Sequence, residues 1–260
     1  QMIDIHTHIL PGIDDGAADI YDSLEMASLA YENGTRVIVA TPHCNIPGVY
    51  DNYFGKEYGR IFRRTKEIIQ REVPGIRLLA GMEAFATEDL PRLLTEGKIF
   101  PVNRTRYVLL EFDFGEDPSF ADWILRRVRE AHVVPLIAHA ERYELVQDDP
   151  SVVCHWKEMG CEIQVNKGSF VGRFGSGAQR AAYELLNHNL VTAVASDAHS
   201  PIRRTTCMAD VYDHLRREYP QEYLDILFDV NPRKICSGKQ PIHFRRIPFE
   251  EFYGWEEQVR

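Results

Sequence analysis

Short apolar runs alternate with helix-like segments along most of the chain, and this alternation constrains the fold more than any other feature. The runs are rich in β-branched and aliphatic residues, as buried parallel strands are. They are Met2–Ile5, Arg36–Thr41, Ile76–Met82, Arg106–Glu111, Val134–Ala138, Glu162–Asn166 and Val191–Ser196. The predicted helices are Asp19–Asn33, Lys56–Arg71, Glu88–Glu96, Phe120–Ala131, Ser151–Met159, Ala178–Asn187 and Cys207–Arg217.

This order predicts an α/β fold, because each parallel crossover needs a helix. Seven strand–helix units in 260 residues favour a closed or nearly closed seven-stranded barrel, and an open doubly wound sheet is the alternative. We expect residues 1–260 to form a single domain. Residues 231–260 carry the aromatic stretch FEEFYGWEE, and we expect them to be an irregular tail that packs on the barrel or on a partner.

Charge and cysteine content exclude several classes of protein. The formal net charge is −9 and there is no cluster of Lys and Arg, which argues against nucleic acid as a partner. No apolar run approaches the roughly 18 residues of a membrane span, so membrane insertion is not expected. The five cysteines form no C-x-x-C pair, so we expect reduced thiols in a cytoplasmic protein.

Metal-type ligands collect at the carboxyl ends of six of the seven predicted strands, the end that carries the active site in β/α barrels. Side chains two apart on a strand point to the same face, so His6 and His8 can bind one ion, and Asp197 with His199 repeats this spacing. The loop after the first strand adds Asp15. The complete set is His6, His8, Asp15, His43, Glu83, Glu111, His139, Asp197 and His199.

Each of these residues could instead have a structural role; Asp14 and Asp15, for example, could form a turn and cap a helix. Their coincidence at one end of consecutive strands favours metal binding. Catalytic zinc-type sites use about three protein ligands per ion, so nine ligands predict three ions. Imidazole and carboxylate ligands without thiolate fit Mn, Fe or Zn. Three divalent ions against four carboxylates would leave a positive cluster suited to a phosphoryl group.

Six short motifs at these positions resemble the PHP (polymerase and histidinol phosphatase) family. They are H-T-H, T-P-H at 41–43, G-M-E at 81–83, L-E-F at 110–112, I-A-H-A-E-R-Y at 137–143 and S-D-A-H at 196–199. The opening M-I-D-I-H-T-H-I-L-P-G-I-D-D-G-A and the segment at 164–175 are most similar to the bacterial manganese-dependent protein-tyrosine phosphatases of capsule and exopolysaccharide clusters. The resemblance implies a distorted seven-stranded (β/α)7 barrel of PHP type with three metal ions, for which Mn is expected.

The resemblance also implies a role for each residue. His6, His8 and Asp197 would hold one ion, Glu83 would bridge it to a second ion held by Glu111 and His139, and the third would be held by Asp15, His43 and His199. Arg142 and Arg204 match phosphate-binding arginines, although the adjacent Arg203 leaves the second assignment open. His199 is also a candidate proton donor. Tyr50, Tyr53, Phe54 and Phe112 could flank an aromatic substrate or could simply be packing residues.

The implied reaction is phosphomonoester hydrolysis by a water that two ions bridge and acidify. The implied substrate is a phosphotyrosine protein, the tail of a bacterial tyrosine kinase. Histidinol phosphate or another small phosphoester is the alternative, and a metal-stabilised binding module without turnover is a further one. An amidohydrolase would commonly use a modified Lys where this chain has Glu111. A cysteine-dependent phosphatase is excluded, because no cysteine has an Arg six residues later.

Overall fold

The computed structural model describes residues 1–249. The strands are β1 (Met2–Thr7), β2 (Thr35–Ala40), β3 (His43–Cys44), β4 (Arg77–Ala80), β5 (Glu83–Phe85), β6 (Tyr107–Glu111), β7 (Val134–Ile137), β8 (Glu162–Asn166) and β9 (Ala193–Ala195). The helices are α1 (Ile20–Glu32), α2 (Lys56–Glu72), α3 (Leu90–Thr95), α4 (Pro118–Glu130), α5 (Glu144–Asp148), α6 (Val152–Glu158), α7 (Ser176–Asn187), α8 (Ala209–Leu215), α9 (Gln221–Asp225) and α10 (Asn231–Cys236). A π-helical segment, Ile226–Val230, joins the last two helices.

The strands form two parallel sheets, one in the order β1-β2-β4 and one in the order β3-β5-β6-β7-β8-β9. The predicted parallel α/β fold is therefore confirmed. The described chain has nine strands instead of the predicted seven, because a further short strand, β3 or β5, follows each of the second and third predicted runs. The chain leaves one sheet after β2 and after β4 and enters the other at β3 and β5. These two breaks place His43 and Glu83 at the start of the second sheet, paired in register.

Backbone contacts join the first strand to the region after the last one. The Asp197 N–H donates to the His6 carbonyl, and the His8 N–H donates to the Ala198 carbonyl, each at 2.8 Å. Asp4 of β1 pairs with Ile38 of β2, and Thr7 pairs with Ala40, so β1 advances by three positions where β2 advances by two. Such a bulge re-aims side chains, so Ile5 lies in the interior apolar cluster while the adjacent His6 reaches the group of ligands.

Two apolar clusters account for the core. The larger cluster packs the helices against the outer faces of the strands. The smaller one fills the space between the strands with inward side chains such as Ile3, Leu109 and Leu136. It continues into Ile235 and Cys236 of α10, so this helix closes the end of the barrel remote from the ligands. None of the described helices is long and apolar enough to cross a membrane.

The prediction of an irregular tail from residue 231 is wrong for Asn231–Cys236, which forms α10. Pro232 lies in the first turn of this helix, where proline is favourable. The buried Asn231 side chain also anchors the helix, because its amide donates to the carbonyls of Thr192 and Ile242. Most of the aromatic stretch FEEFYGWEE lies outside the described residues.

Candidate metal centre

The nine predicted ligands come together at the carboxyl ends of the strands. Their donor atoms fall into three overlapping groups, within each of which all atoms lie within 4.8 Å of one another. The groups are His6, His8, Glu83 and Asp197; His8, Asp15, His43 and His199; and His43, Glu83 and Glu111. His139 joins them through Nε2, which lies 2.9 Å from Glu83 Oε1 and 3.5 Å from Glu111 Oε1.

The first group has the dimensions of a tetrahedral metal site. Nε2 of His6 and of His8 each lie 3.2 Å from Glu83 Oε2 and 3.3 Å from Asp197 Oδ1. The two Nε2 atoms are themselves 3.3 Å apart. An ion bound at about 2.0–2.1 Å by four ligands sets its donor atoms about 3.3–3.4 Å apart. Among the described residues, Glu83 Oε2 is buried without a hydrogen-bond donor, so a bound cation would supply the partner that this oxygen lacks.

Hydrogen bonds behind the first group fix the tautomer of His6. The Gln164 amide N–H donates to Asn166 Oδ1 (2.9 Å), and the Asn166 amide donates to Asp197 Oδ2 (2.7 Å). Gln164 Oε1 therefore faces His6, and it also accepts the backbone N–H of His139 (2.9 Å). Since Oε1 can only accept, His6 Nδ1, at 2.8 Å, carries the proton. The lone pair of His6 Nε2 then points to the ligand group, as is common in metal sites where the other ring nitrogen of a histidine ligand donates to a neighbouring acceptor.

Asp14 plays the same part for His8. Its Oδ2 accepts from His8 Nδ1 at 2.8 Å and from the backbone N–H of His43 at 3.0 Å, and its Oδ1 accepts from the Gly16 N–H. Gly16 packs so closely that a Cβ there would lie 2.1 Å from the His8 carbonyl oxygen. The D-D-G sequence thus supplies a supporting acceptor, Asp14, a candidate ligand, Asp15, and a glycine required by close packing.

His43 belongs to both the second and the third of these groups. Its Nε2 lies 3.3 Å from Asp15 Oδ1, and its Nδ1 lies 3.1 Å from Glu83 Oε2 and 3.4 Å from Glu111 Oε2. His199 Nε2 is also 3.3 Å from Asp15 Oδ1, while its Nδ1 donates to the Asp197 carbonyl. The predicted trio of Asp15, His43 and His199 is therefore assembled.

Charge coupling within the cluster shifts several pKa values. Burial opposes the charged form of His43, but the carboxylates of Asp15 and Glu111 raise its pKa to about 10. Burial also opposes the charged form of His139, but the carboxylates of Glu111 and Glu83 raise its pKa to about 10. Burial opposes ionisation of Glu83, yet His6 and its neighbours hold the Glu83 pKa well below the ordinary value. Without metal, protonated imidazoles balance the carboxylates, so a divalent ion must displace protons.

Two guanidinium groups line the cavity above the ligands, which has a volume of about 210 Å³. Arg204 Nη2 donates to Asp197 Oδ2 at 2.6 Å, and Arg142 Nη1 lies 3.7 Å from the same oxygen. Both guanidinium groups lie over the Phe174 ring, at 4.1 Å for Arg142 and 5.2 Å for Arg204. Arg203 is exposed and does not line this cavity, so the geometry favours Arg204 over Arg203.

The aromatic residues at the site differ from those considered in the sequence. The Tyr50 ring stacks on His43 at 5.6 Å, but Phe112 is buried in the core and Tyr53 donates to Asn45. Phe114 lines the cavity, and the Arg142 guanidinium lies 4.5 Å from the centre of the Phe114 ring. Sequence reasoning missed Phe114 and Phe174, although both follow barrel strands.

Three of the nine described non-glycine residues with positive φ lie at this site. His139, Asp197 and Arg204 have φ angles of 34°, 49° and 52°, in the left-handed region that non-glycine residues rarely adopt. Each turns the chain sharply beyond a strand and points a functional side chain into the cavity. Strain of this kind persists only where the surrounding structure enforces it.

The fold and the site together define a class: α/β proteins with parallel strands whose carboxyl ends gather His, Asp and Glu side chains that could hold metal ions. Within that class, the chain belongs to the family described as capsular polysaccharide synthesis, CpsB/CapC, which matches residues 2–237. The resemblance drawn from the motifs is confirmed.

Named relatives and a solved structure support this assignment. The chain is 35% identical over 221 residues to the tyrosine-protein phosphatase YwqE of Bacillus subtilis, covering 85% of this chain and 86% of the relative. It is 30% identical over 243 residues to the tyrosine-protein phosphatase CpsB of Streptococcus pneumoniae, covering 92% and 99%. A solved structure from work on YwqE and CpsB, described as unique metal-dependent tyrosine phosphatases, superposes with a TM-score of 0.87 at 31% identity and covers 95% of this chain and 100% of that one.

Proposed function

We propose that this protein is a metal-dependent protein-tyrosine phosphatase. The observation that carries the proposal is the tetrahedron of donor atoms from His6, His8, Glu83 and Asp197, beneath a cavity lined by Arg142 and Arg204. Relatives that this chain matches over most of their length are named tyrosine-protein phosphatases. The proposed cofactors are three divalent ions held by the nine ligands, with Mn²⁺ as the first ion to test.

When bound, the ions supply Lewis acidity to the phosphoryl group and lower the pKa of water. The residues of the chain supply binding and orientation. The planar forks of Arg142 and Arg204 are suited to donate hydrogen bonds to the non-bridging phosphoryl oxygens, and the Phe174 ring holds both guanidinium groups above the ligands. Phe114 and Tyr50 stand at the sides of the opening, where an aryl group can lie.

The geometry limits what His199 can do. Its Nδ1 proton is used in the bond to the Asp197 carbonyl, so Nε2 is the one nitrogen left for either a metal ion or a transferable proton. His199 Nε2 cannot bind an ion and carry a proton at the same time, and we propose that it binds an ion. A phenol, with a pKa of about 10, leaves readily as the anion, so an aryl phosphate needs little help from a general acid.

The proposed substrate is a phosphotyrosine protein, a bacterial tyrosine kinase of capsule or exopolysaccharide synthesis, in keeping with the description of the family. The proposed location is the cytoplasm, where its five free cysteines would stay reduced. We also propose that residues 1–260 are one domain and that the two sheets act as one distorted seven-stranded barrel of PHP type.

The test is phosphate release from a phosphotyrosine peptide with added Mn²⁺, measured beside chelator-treated protein and the His6→Ala variant. We expect turnover that is lost in both controls. Arg204→Ala should reduce kcat/KM by about 100-fold, while the adjacent Arg203→Ala serves as the matched control and should stay close to wild type. Activity on histidinol phosphate alone would show that the substrate is a small phosphoester and not a phosphotyrosine protein. Metal binding without hydrolysis of any phosphoester would indicate a binding module without turnover.

A further inference from the structure

A second cavity, of about 450 Å³, opens between α2 and β4, outside the ligand cluster. One part of its lining is aromatic and comprises Phe54, Tyr58, Phe62 and Phe100. The other part is cationic and comprises Arg63, Lys66 and Arg104. No carboxylate lines it, so the cavity combines apolar rings with three positive charges.

The break between the two sheets creates this cavity. Strand β4 pairs with β2 and is the edge of its sheet, so no neighbouring strand covers its other side. The 3-10 turn Val102–Arg104 lies beside β4 instead. Within it, Asn103 and Arg104 have φ angles of 46° and 60°, a costly pair for residues other than glycine. This backbone places the Arg104 guanidinium 5.9 Å from the centre of the Phe100 ring.

The three cations lack acidic partners. Within residues 1–249, no carboxylate forms an ion pair with Arg63, Lys66 or Arg104, whereas the nearby Arg60 and Arg92 are paired to Glu57 and Glu96. These three cations differ from other unpaired ones in lining a single cavity without a carboxylate, in a chain of net charge −9. A negatively charged partner would be drawn to this face by the three positive charges.

One loop connects the cavity to the metal centre. Tyr50 stacks on the candidate ligand His43, and Phe54, four residues later, lines the second cavity and is held there by its N–H bond to the Lys98 carbonyl. Four residues span at most about 14 Å. A short extended peptide can therefore contact both places at once.

We propose that this cavity binds an acidic segment of the phosphoprotein substrate that also carries an apolar side chain, at a site separate from the phosphotyrosine. The rings take the apolar side chain, and Arg63, Lys66 and Arg104 take the carboxylates. The inference rests on the proposed phosphatase function and names the substrate class that it prefers, which is a phosphotyrosine peptide flanked by acidic residues.

The chain offers matched control positions for the test. Arg64 and Arg106 lie one and two residues from Arg63 and Arg104, but each lines a different cavity. The double variant R63E/R104E and the control R64E/R106E therefore carry the same change in net charge. Both are assayed as Mn²⁺-loaded enzymes on three substrates: an acidic phosphotyrosine peptide, the same peptide with Gln in place of its acidic residues, and p-nitrophenyl phosphate.

We expect R63E/R104E to raise KM for the acidic peptide by about tenfold, since two exposed attractions become repulsions. This increase should shrink at high salt, and kcat on p-nitrophenyl phosphate should match wild type. R64E/R106E should leave the preference for the acidic peptide intact. Equal effects of the two double variants, or a wild-type enzyme that treats the acidic and Gln peptides alike, would overturn the docking site and leave the phosphatase function standing. A wild-type enzyme inactive on all three substrates would instead refute the proposed function.

Discussion

Gln164 is the buried residue on which the orientation of His6 depends, and replacing it with leucine isolates that dependence. Leucine has a similar size but offers no acceptor to His6 Nδ1 or to the His139 backbone N–H, which now donate to Gln164 Oε1 at 2.8 and 2.9 Å. Both groups are buried, so water cannot replace the lost acceptor without entering the core.

The expected magnitude has two parts. Each buried donor left without an acceptor costs about 1–3 kcal/mol, so the metal-free Gln164→Leu protein should lose about 2–6 kcal/mol of unfolding free energy. Loss of the hydrogen-bond partner behind a metal ligand typically weakens metal binding by about 10–100-fold, or about 1.4–2.8 kcal/mol. In addition, His6 becomes free to place its proton on Nε2, which faces the ligand group.

Calorimetric titration with Mn²⁺ measures the affinity, and denaturant unfolding of the chelated protein measures the stability. Gln179→Leu is the control, because this glutamine lies outside the ligand cluster and donates to the Phe170 carbonyl. Gln164→Glu keeps the acceptor and should bind Mn²⁺ more tightly than Gln164→Leu does. Wild-type Mn²⁺ affinity in Gln164→Leu would refute the claim that this side chain orients His6.

Three further predictions concern protons and close packing. His43 and His139 have a pKa of about 10 without metal, so Mn²⁺ binding at pH 7 should release protons, and the Mn²⁺ affinity should increase as pH rises. Calorimetric titration in buffers of different ionisation enthalpy measures the number of protons released. Binding without proton release would contradict this prediction. Burial raises the pKa of Asp4 to about 6, above its unfolded value of about 3.9. The protonated form is therefore favoured by folding, so chelated protein should lose about 3 kcal/mol of stability between pH 4 and 6, and Asp4→Asn should flatten that slope in unfolding titrations. Gly16→Ala should weaken Mn²⁺ binding by at least tenfold, because its Cβ would collide with the backbone of His8. Gly55→Ala is the control for replacing a glycine, because the Gly55 backbone is extended and the nearest atom lies 4.0 Å from the added carbon; equal affinities in the two variants would exclude this explanation.

The nine candidate ligands could be predicted because their signal is local. Each follows an apolar run, and the carboxyl ends of parallel strands meet at one end of a barrel. The break after β2 and after β4 could not be predicted, since it depends on how two sheets divide the barrel. The helix Asn231–Cys236 was missed because its stability comes from tertiary contacts of Asn231 and Ile235 more than from helix propensity.

The supporting residues were missed for a different reason. Gln164 and Asn166 act on His6 and Asp197, which are far away in sequence. A signal was nevertheless present in β8, whose sequence E-I-Q-V-N alternates polar and apolar residues, although strands buried on both faces normally read as continuous apolar runs. Polar residues on the inner face of such a strand need partners, and the ligands supply them. Phe114 and Phe174 carried no comparable pattern.

The left-handed backbone at His139, Asp197 and Arg204 has a consequence for directed evolution. Each such residue costs about 1–3 kcal/mol relative to a relaxed conformation, and glycine would remove that cost. A selection for heat resistance alone would therefore favour glycine wherever this gain exceeds the loss of side-chain contacts, and glycine at any of the three positions would remove a candidate ligand or a candidate phosphate-binding arginine. Variants selected for a higher melting temperature should therefore be tested for metal binding in every round of selection. Relaxing the backbone and keeping the functional side chains impose opposite demands on the same three residues.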